Sequence, residues 1–125
     1  MKQVFEIRCI LPSLNEIIDS SKTHWSNYAS PKKAYDAIVA AFARQKLKPV
    51  ENYPVDIHCH WVVPNRRKDP DGISAGAKFI LDGLVKAGIL RNDGFSEVCK
   101  ITHEFSVDRR NPKIIVTIKE EKDNE

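Results

Sequence analysis

A chain of 125 residues is long enough for one hydrophobic core and too short for two. With 42% hydrophobic and 30% charged residues, and no apolar run near bilayer length, it reads as a globular domain and not as a helical membrane protein. The net charge of +3 hides an asymmetry: Lys119 to Glu125 hold two basic and four acidic residues, which leaves 18 basic and 13 acidic, a net of +5, in the rest of the chain. A positive excess of this size permits a nucleic-acid partner without proving one. The expected organisation is one domain over 1–118 and an acidic, flexible, solvated tail over 119–125. Glu6 interrupts the only apolar stretch of the N-terminus, which is not the pattern of a secretion signal. Cys9, Cys59 and Cys99 are odd in number and widely spaced, which points to reduced thiols and a cytoplasmic setting.

In chain order, Phe5, Ile7, Cys9 and Leu11 alternate with Glu6 and Arg8, so residues 4–11 are expected to form a half-buried strand. Pro12-Ser13-Leu14-Asn15 ends it, and a polar loop through Lys22, His24, Trp25 and Asn27 follows. Ser30 can cap a helix and Pro31 fits its first position. Tyr35, Ile38, Val39 and Phe42 then recur at helical spacing, which predicts a helix over 31–46 with one buried face. Val55, Ile57, Cys59, Trp61 and Val63 alternate with Asp56, His58 and His60 in a second strand, closed by Pro64. A helix of about four turns is predicted from near Ile73 to Ala87, with Gly88 placed to stop it in a left-handed conformation. Asn92-Asp93-Gly94 is a turn signal. Cys99, Ile101, His103 and Phe105 share one face of a third strand over 97–107, and Asp108-Arg109-Arg110-Asn111-Pro112 turns the chain. Ile114, Val116 and Ile118 complete what reads as a terminal hairpin. The fold class expected is α+β: one domain, a mixed β-sheet packed against two helices, in the order β-α-β-α-β-β.

The segment Arg66-Arg67-Lys68-Asp69-Pro70-Asp71-Gly72 carries the chemistry of interest. Two carboxylates about 6 Å apart repel by about 3 kcal/mol at an effective dielectric near 20, so a turn, an ion pair or a bound cation should offset them. Pro70 pushes Asp69 toward an extended conformation, and Asp71 falls where a helix N-terminus favours negative charge. Taken alone, D-P-D-G is more often a turn with an aspartate cap than a metal site. Asp93 taken singly is a loop aspartate, and Lys78 a solvated helix lysine. As a set, three carboxylates and one lysine have the chemistry of a Mg²⁺ site acting on a phosphodiester: hard oxygen donors, with substrate oxygens and waters completing the shell. The neighbouring Arg66, Arg67 and Lys68 suit a phosphate backbone.

The run RRKDPDGISAGAKFILDGLVKAGILRNDGFSEV, from Arg66 to Val98, resembles the core of the RusA-type Holliday-junction resolvases, especially their phage-borne relatives. It has two aspartates after a basic run, a lysine in the next helix, Leu81-Asp82-Gly83-Leu84, Lys86-Ala87-Gly88 and Asn92-Asp93. Leu11-Pro12-Ser13-Leu14-Asn15 is similar to the family's N-terminal motif. The resemblance implies a homodimeric endonuclease, dependent on Mg²⁺ (with Mn²⁺ able to substitute), that cuts four-way junctions in branched DNA by paired nicks. It implies that Asp69, Asp71 and Asp93 bind the metal and that Lys78 is the essential helix lysine. Arg66, Arg67, Lys68, Asn15, Lys32 and Lys33 are the candidate DNA contacts. Gly72 departs from an asparagine common in the family, the interval from Asp71 to Lys78 is longer than in the bacterial prototype, and Asn92 stands in place of a first aspartate.

Other residues are read structurally. His58 and His60 face one side of a strand and Cys59 the other, so the three cannot ligate one zinc ion. His103 reads as a core or interface histidine, and Asp82 as a partner for Lys78 at i,i+4. Arg109 and Arg110 are either a solvated hairpin tip or an addition to a DNA footprint. The loop with His24, Trp25, Asn27 and Tyr28 could track DNA or be a packed surface loop.

Overall fold

Strand alternation builds the sheet. Val55, Ile57, Cys59 and Trp61 bury one face of the second strand, while His58 and His60 stay part-exposed on the other. The computed structural model describes residues 2–8 and 25–120, and of residues 25–33 the backbone alone. The elements are β1 (Lys2–Ile7), α1 (Trp25–Lys46), β2 (Val55–Val63), α2 (Pro70–Ser74), α3 (Ala77–Lys86), β3 (Val98–Val107) and β4 (Lys113–Glu120). They form the α+β domain expected: a four-stranded mixed sheet in the order β1-β4-β2-β3, with helices packed on one face. β4 is antiparallel to both β1 and β2, and β3 is parallel to β2. The core lies between sheet and helices, built on Phe5, Ile57, Val116, Val39, Phe79 and Leu84.

α1 and α3 approach closely because Gly83 has no side chain: a Cβ there would lie 2.5 Å from Val39. Gly88 ends the helical segment with φ 78°, as its position predicted.

Four expectations are corrected. The last two strands are not a hairpin, because β2 lies between β3 and β4. The link 108–112 steps past the end of β2, a lateral move of about 10 Å that five residues span easily. β4 takes the inner place because Ile114, Val116 and Ile118 are buried, whereas β3 is exposed along most of both faces. The first helix begins at Trp25 and not at Pro31. Within a helix proline loses its own amide bond and crowds the carbonyl four residues before it, yet the helical backbone here continues N-terminal to Pro31. The helix expected from Ile73 to Ala87 is two pieces, α2 and α3, and starts at Pro70. It breaks at Gly76, where a Cβ would sit 3.0 Å from the Trp61 ring and the amide bonds back to Ile73 in a tighter turn.

The fourth correction concerns the C-terminal end. β4 runs through Lys119 and Glu120. Glu120 is buried and accepts hydrogen bonds from the Glu51 amide and Asn52 Nδ2. The sheet thus takes in the first two residues assigned to the tail, while 121–125 lie outside the described residues. So do Cys9 and Leu11, whose places in the first strand were expected. Among the described residues, no helix is long and apolar enough to cross a membrane.

Candidate nucleic-acid interface

The path from Val63 to Asp71 carries the chain from the C-terminal end of β2 into the helical layer. Asn65 Oδ1 accepts the Arg67 amide at 3.0 Å, fixing a tight turn that leaves Arg66, Arg67 and Lys68 exposed. Asp69 takes the extended conformation that Pro70 imposes, with φ −76° and ψ 150°. Its carbonyl accepts the Ile73 amide at 3.0 Å, opening α2, yet its carboxylate makes no capping bond. The ordinary use of an aspartate before a helix is therefore not the use made of Asp69. Asp71 is exposed in the first turn of α2: Oδ1 accepts the Gly72 amide, and its carbonyl accepts Ser74 Oγ, each at 2.9 Å. The contact of Gly76 with Trp61 seats this corner over the C-terminal end of β2.

Lys78 lies at the start of α3 and pairs with Asp82 at 3.6 Å, the i,i+4 contact its spacing predicted. Its side chain is 63% exposed, so little holds the ammonium there against a phosphate.

Asp93 sits at the other end of the sheet. Its loop is pinned beside the start of β2: the Arg91 amide donates to Tyr53 Oη at 3.0 Å, and the Arg91 guanidinium lies over the Tyr53 ring. Arg91 Nε also meets the buried Glu97 carboxylate at 2.9 Å, and the Val55 amide donates to the Glu97 carbonyl at 2.8 Å. Asp93 itself is exposed, with its amide bonded to Asn92 Oδ1. Asp69 and Asp71 are thus separated from Asp93 by the length of β2, roughly 25 Å at about 3.3 Å per residue. Since cation–oxygen bonds are about 2.0–2.6 Å long, no single ion joins all three aspartates within one chain. Among the described residues, no group of three or more His, Cys, Asp or Glu is placed to hold a metal. The expected set is brought together only in part.

What the fold does bring together is charge. The Asp108 amide donates to the Val63 carbonyl at 2.8 Å, which puts the exposed Arg109 and Arg110 at the same sheet end as Arg66, Arg67 and Lys68. Asp108 Oδ1 accepts the amides of Arg110 and Asn111, holding that corner in shape. Asp69, Asp71 and Asp108 therefore share one sheet end with five basic residues, drawn from two connections far apart in sequence. Asn15 lies outside the described residues. Lys32 and Lys33 fall in the backbone of α1, beyond its first turn.

The histidines divide as strand alternation requires. His58 contacts Thr102 Oγ1 at 2.6 Å and Glu104 at 3.1 Å, and His60 contacts Ser106 Oγ at 2.8 Å, all on the polar face. Cys59 is buried on the opposite face, where desolvation pushes its thiol up to about 12. His103 Nδ1 accepts a hydrogen bond from Trp61 Nε1 at 2.9 Å. Burial, and secondarily His58, lower its pKa.

Phe95 went unnoticed in the sequence. It is fully exposed, two residues after Asp93, and contributes nothing to the core. A phenylalanine directly after a turn-forming Asn-Asp-Gly, where no strand or helix can bury it, was the available signal. No protein-family model matches the chain, and no curated protein matches it.

Proposed function

We propose that this protein is a Mg²⁺-dependent, structure-selective endodeoxyribonuclease that acts as a homodimer on four-way DNA junctions, making paired symmetric nicks. The observation that carries the reading is the pair Asp69 and Asp71, exposed at the sheet end that also carries Arg66, Arg67, Lys68, Arg109 and Arg110. The resemblance of residues 66–98 to the RusA-type resolvases supports it.

The donor set fits a divalent cation: two exposed carboxylates, one of them free of its expected cap bond, are hard oxygen ligands of the kind Mg²⁺ takes alongside water and phosphate. When bound, such an ion activates water and stabilises charge on the leaving 3′ oxygen. Arg66, Arg67 and Lys68 hold the strand by its phosphates, and Arg109 and Arg110 extend that grip. Lys78 exchanges its weak pairing with Asp82 for a phosphate oxygen whose charge grows in the transition state. Phe95 offers a stacking face to an unpaired base, available at a branch point and absent from continuous duplex. Because Asp93 lies at the opposite end of the sheet from Asp69 and Asp71 of its own chain, Asp93 of the partner subunit is the one that completes the carboxylate set. Paired nicks need two sites related by a two-fold axis, which a homodimer supplies.

One observation favours a second reading. The carboxylate set is incomplete within one chain, as in a branched-DNA-binding protein that does not cut. A nuclease without junction preference shares the same site and differs in its binding surface. The test is a labelled synthetic four-way junction and a matching linear duplex, each with Mg²⁺, with Mn²⁺ and with EDTA, beside Asp71→Asn. Metal-dependent symmetric nicking of the junction alone, lost in Asp71→Asn, is expected. Junction binding without cleavage would replace the enzyme by the binding protein, equal cleavage of both substrates would remove junction selectivity, and no binding at all would leave the aspartates as turn residues.

A further inference from the structure

We propose that two copies of this chain join through β3, antiparallel about a two-fold axis at Thr102, into one continuous eight-stranded sheet. This pairing supplies the surface for the proposed homodimer.

β3 is the longest strand and lies at the sheet edge, with β2 on one side and no described strand on the other. The other edge strand, β1, has six residues, against ten in β3. On its helix-side face β3 continues the core face of β2: Ile101 registers with Ile57, His103 with Cys59 and Phe105 with Trp61. The β2 residues are buried there, yet Ile101 is 41% and Phe105 37% exposed, because the helices stop short of β3. A long edge strand with a half-covered apolar face is a template for another strand.

The self-complementarity of β3 says which strand. The Asp108 amide points at β2, where it donates to Val63. By alternation, the even-numbered residues of β3 direct their backbone groups at β2, and Ile101, His103, Phe105 and Val107 direct theirs at the free edge. An antiparallel second copy must therefore set odd residues opposite odd ones. The register about Thr102 does so and places Lys100 opposite Glu104 of the partner subunit, twice over by symmetry. It also places Thr102 opposite its own mate and Ile101 opposite His103 of the partner subunit. Opposite charges and Thr–Thr pairs are the favourable cross-strand combinations. The next register, about His103, keeps the apolar face matched but sets Lys100 opposite serine and loses both ion pairs. Lys100 and Glu104 are exposed and meet Asp56 and His58 within their own chain at 3.7 and 3.1 Å, contacts that leave both heads at the surface.

The antiparallel pairing has a consequence for the candidate site. The start of β3 in one copy lies beside the end of β3 in the other, and the two-fold is perpendicular to the sheet, so both helical layers share one face. The Asp93 loop of the partner subunit then arrives at the sheet end that holds Asp69 and Asp71. The pairing itself does not depend on the nuclease reading; only this consequence does.

The test uses the full chain. In a Cys99→Ser background, Thr102→Cys is expected to give a disulfide-linked dimer on mild oxidation, because a non-hydrogen-bonded pair holds its Cα atoms about 4.5 Å apart, within disulfide range. Ser106→Cys in that background, displaced from its mate by several residues on each strand, is expected not to. Lys100→Glu and Glu104→Lys should each weaken the dimer on the order of tenfold, and an equimolar mixture should restore it, since only the mixed dimer has opposite charges at both pairs. A monomer at all concentrations would overturn the proposal, and slow hydrogen exchange of β3 in that monomer would show that the chain's own segment covers the edge. A dimer that neither cross-links at Thr102 nor responds to the charge changes would overturn it in favour of another surface. A cross-linking dimer that ignores junction DNA leaves the pairing standing and removes the nuclease reading.

Discussion

Replacing Gly83 by alanine tests how α3, and with it Lys78, is seated. A Cβ at Gly83 would lie 2.5 Å from both Cβ and Cγ1 of Val39, and 3.1 Å from the Asp36 carbonyl oxygen. Carbon atoms settle about 3.5–4.0 Å apart, so the two helices must part by roughly 1 Å. Val39 is fully buried and branched at Cβ, and one of its two clashing atoms is that Cβ, so no rotamer change relieves the contact. Overpacking of this kind costs about 1–3 kcal/mol, and so short a contact belongs near the upper figure. The higher helix propensity of alanine offsets about 1 kcal/mol of it. The net expectation is a loss of about 2 kcal/mol, or a fall in Tm of roughly 6–10 °C for a domain of this size. Urea unfolding followed by circular dichroism measures it, with an unchanged m value showing that the fold is retained. Gly88→Ala is the comparison: nothing lies within 4 Å of its Cβ, so its cost comes from φ 78° alone, about 1–2 kcal/mol. A Gly83→Ala protein as stable as the wild type would refute the close approach of α1 and α3.

Four further outcomes are expected. Asp71→Asn and Asp93→Asn should each be inactive on junctions, by roughly 100-fold or more, yet a mixture should recover about a quarter of the wild-type site concentration as single nicks, because each mixed dimer keeps one intact site; no recovery would place each site within one chain. Arg66→Ala with Arg67→Ala should reduce the dependence of log affinity on log salt by about 2, read by titrating junction DNA at several ionic strengths, and an unchanged slope would remove both arginines from the phosphate contacts. Phe95→Ala should leave Tm unchanged, since the ring is fully exposed, while weakening binding to the junction more than to duplex; equal effects on both would exclude stacking at the branch. His103 is held below its ordinary 6.5, chiefly by burial, so the unfolded chain takes up a proton first as pH falls. Its contribution to stability is complete above pH 6.5 and is lost as pH drops through the lowered folded value; urea midpoints at a series of pH values should fall less steeply in His103→Gln, and identical slopes would refute this.

Whatever depends on local spacing is legible along the chain. Alternation from Val55 to Val63 set which side chains of β2 enter the core, and helical spacing placed Tyr35, Val39 and Phe42 on the inner side of α1. Gly88 stops the helical segment because only a residue without Cβ accepts a left-handed φ easily, and Pro70 extends Asp69 through direct steric contact. Strand order was not legible. β3 and β4 follow one another across five residues, a spacing equally suited to a hairpin or to a step past β2, and the burial demand of β4 chose between them. The break falls at Gly76, where the space for a side chain is taken by the Trp61 ring, supplied by a strand fifteen residues earlier in the chain. The candidate site divides in the same way. Asp69 and Asp71 are neighbours because only Pro70 separates them, and that closeness is a property of the chain. Arg109 and Arg110 joined them, and Asp93 left them, because β2 and β3 run parallel: the chain after Val63 and the chain after Val107 emerge at one end, while the loop that leads into β3 opens at the other. The direction of a strand within its sheet is fixed by packing over the whole domain, and no window of sequence contains it.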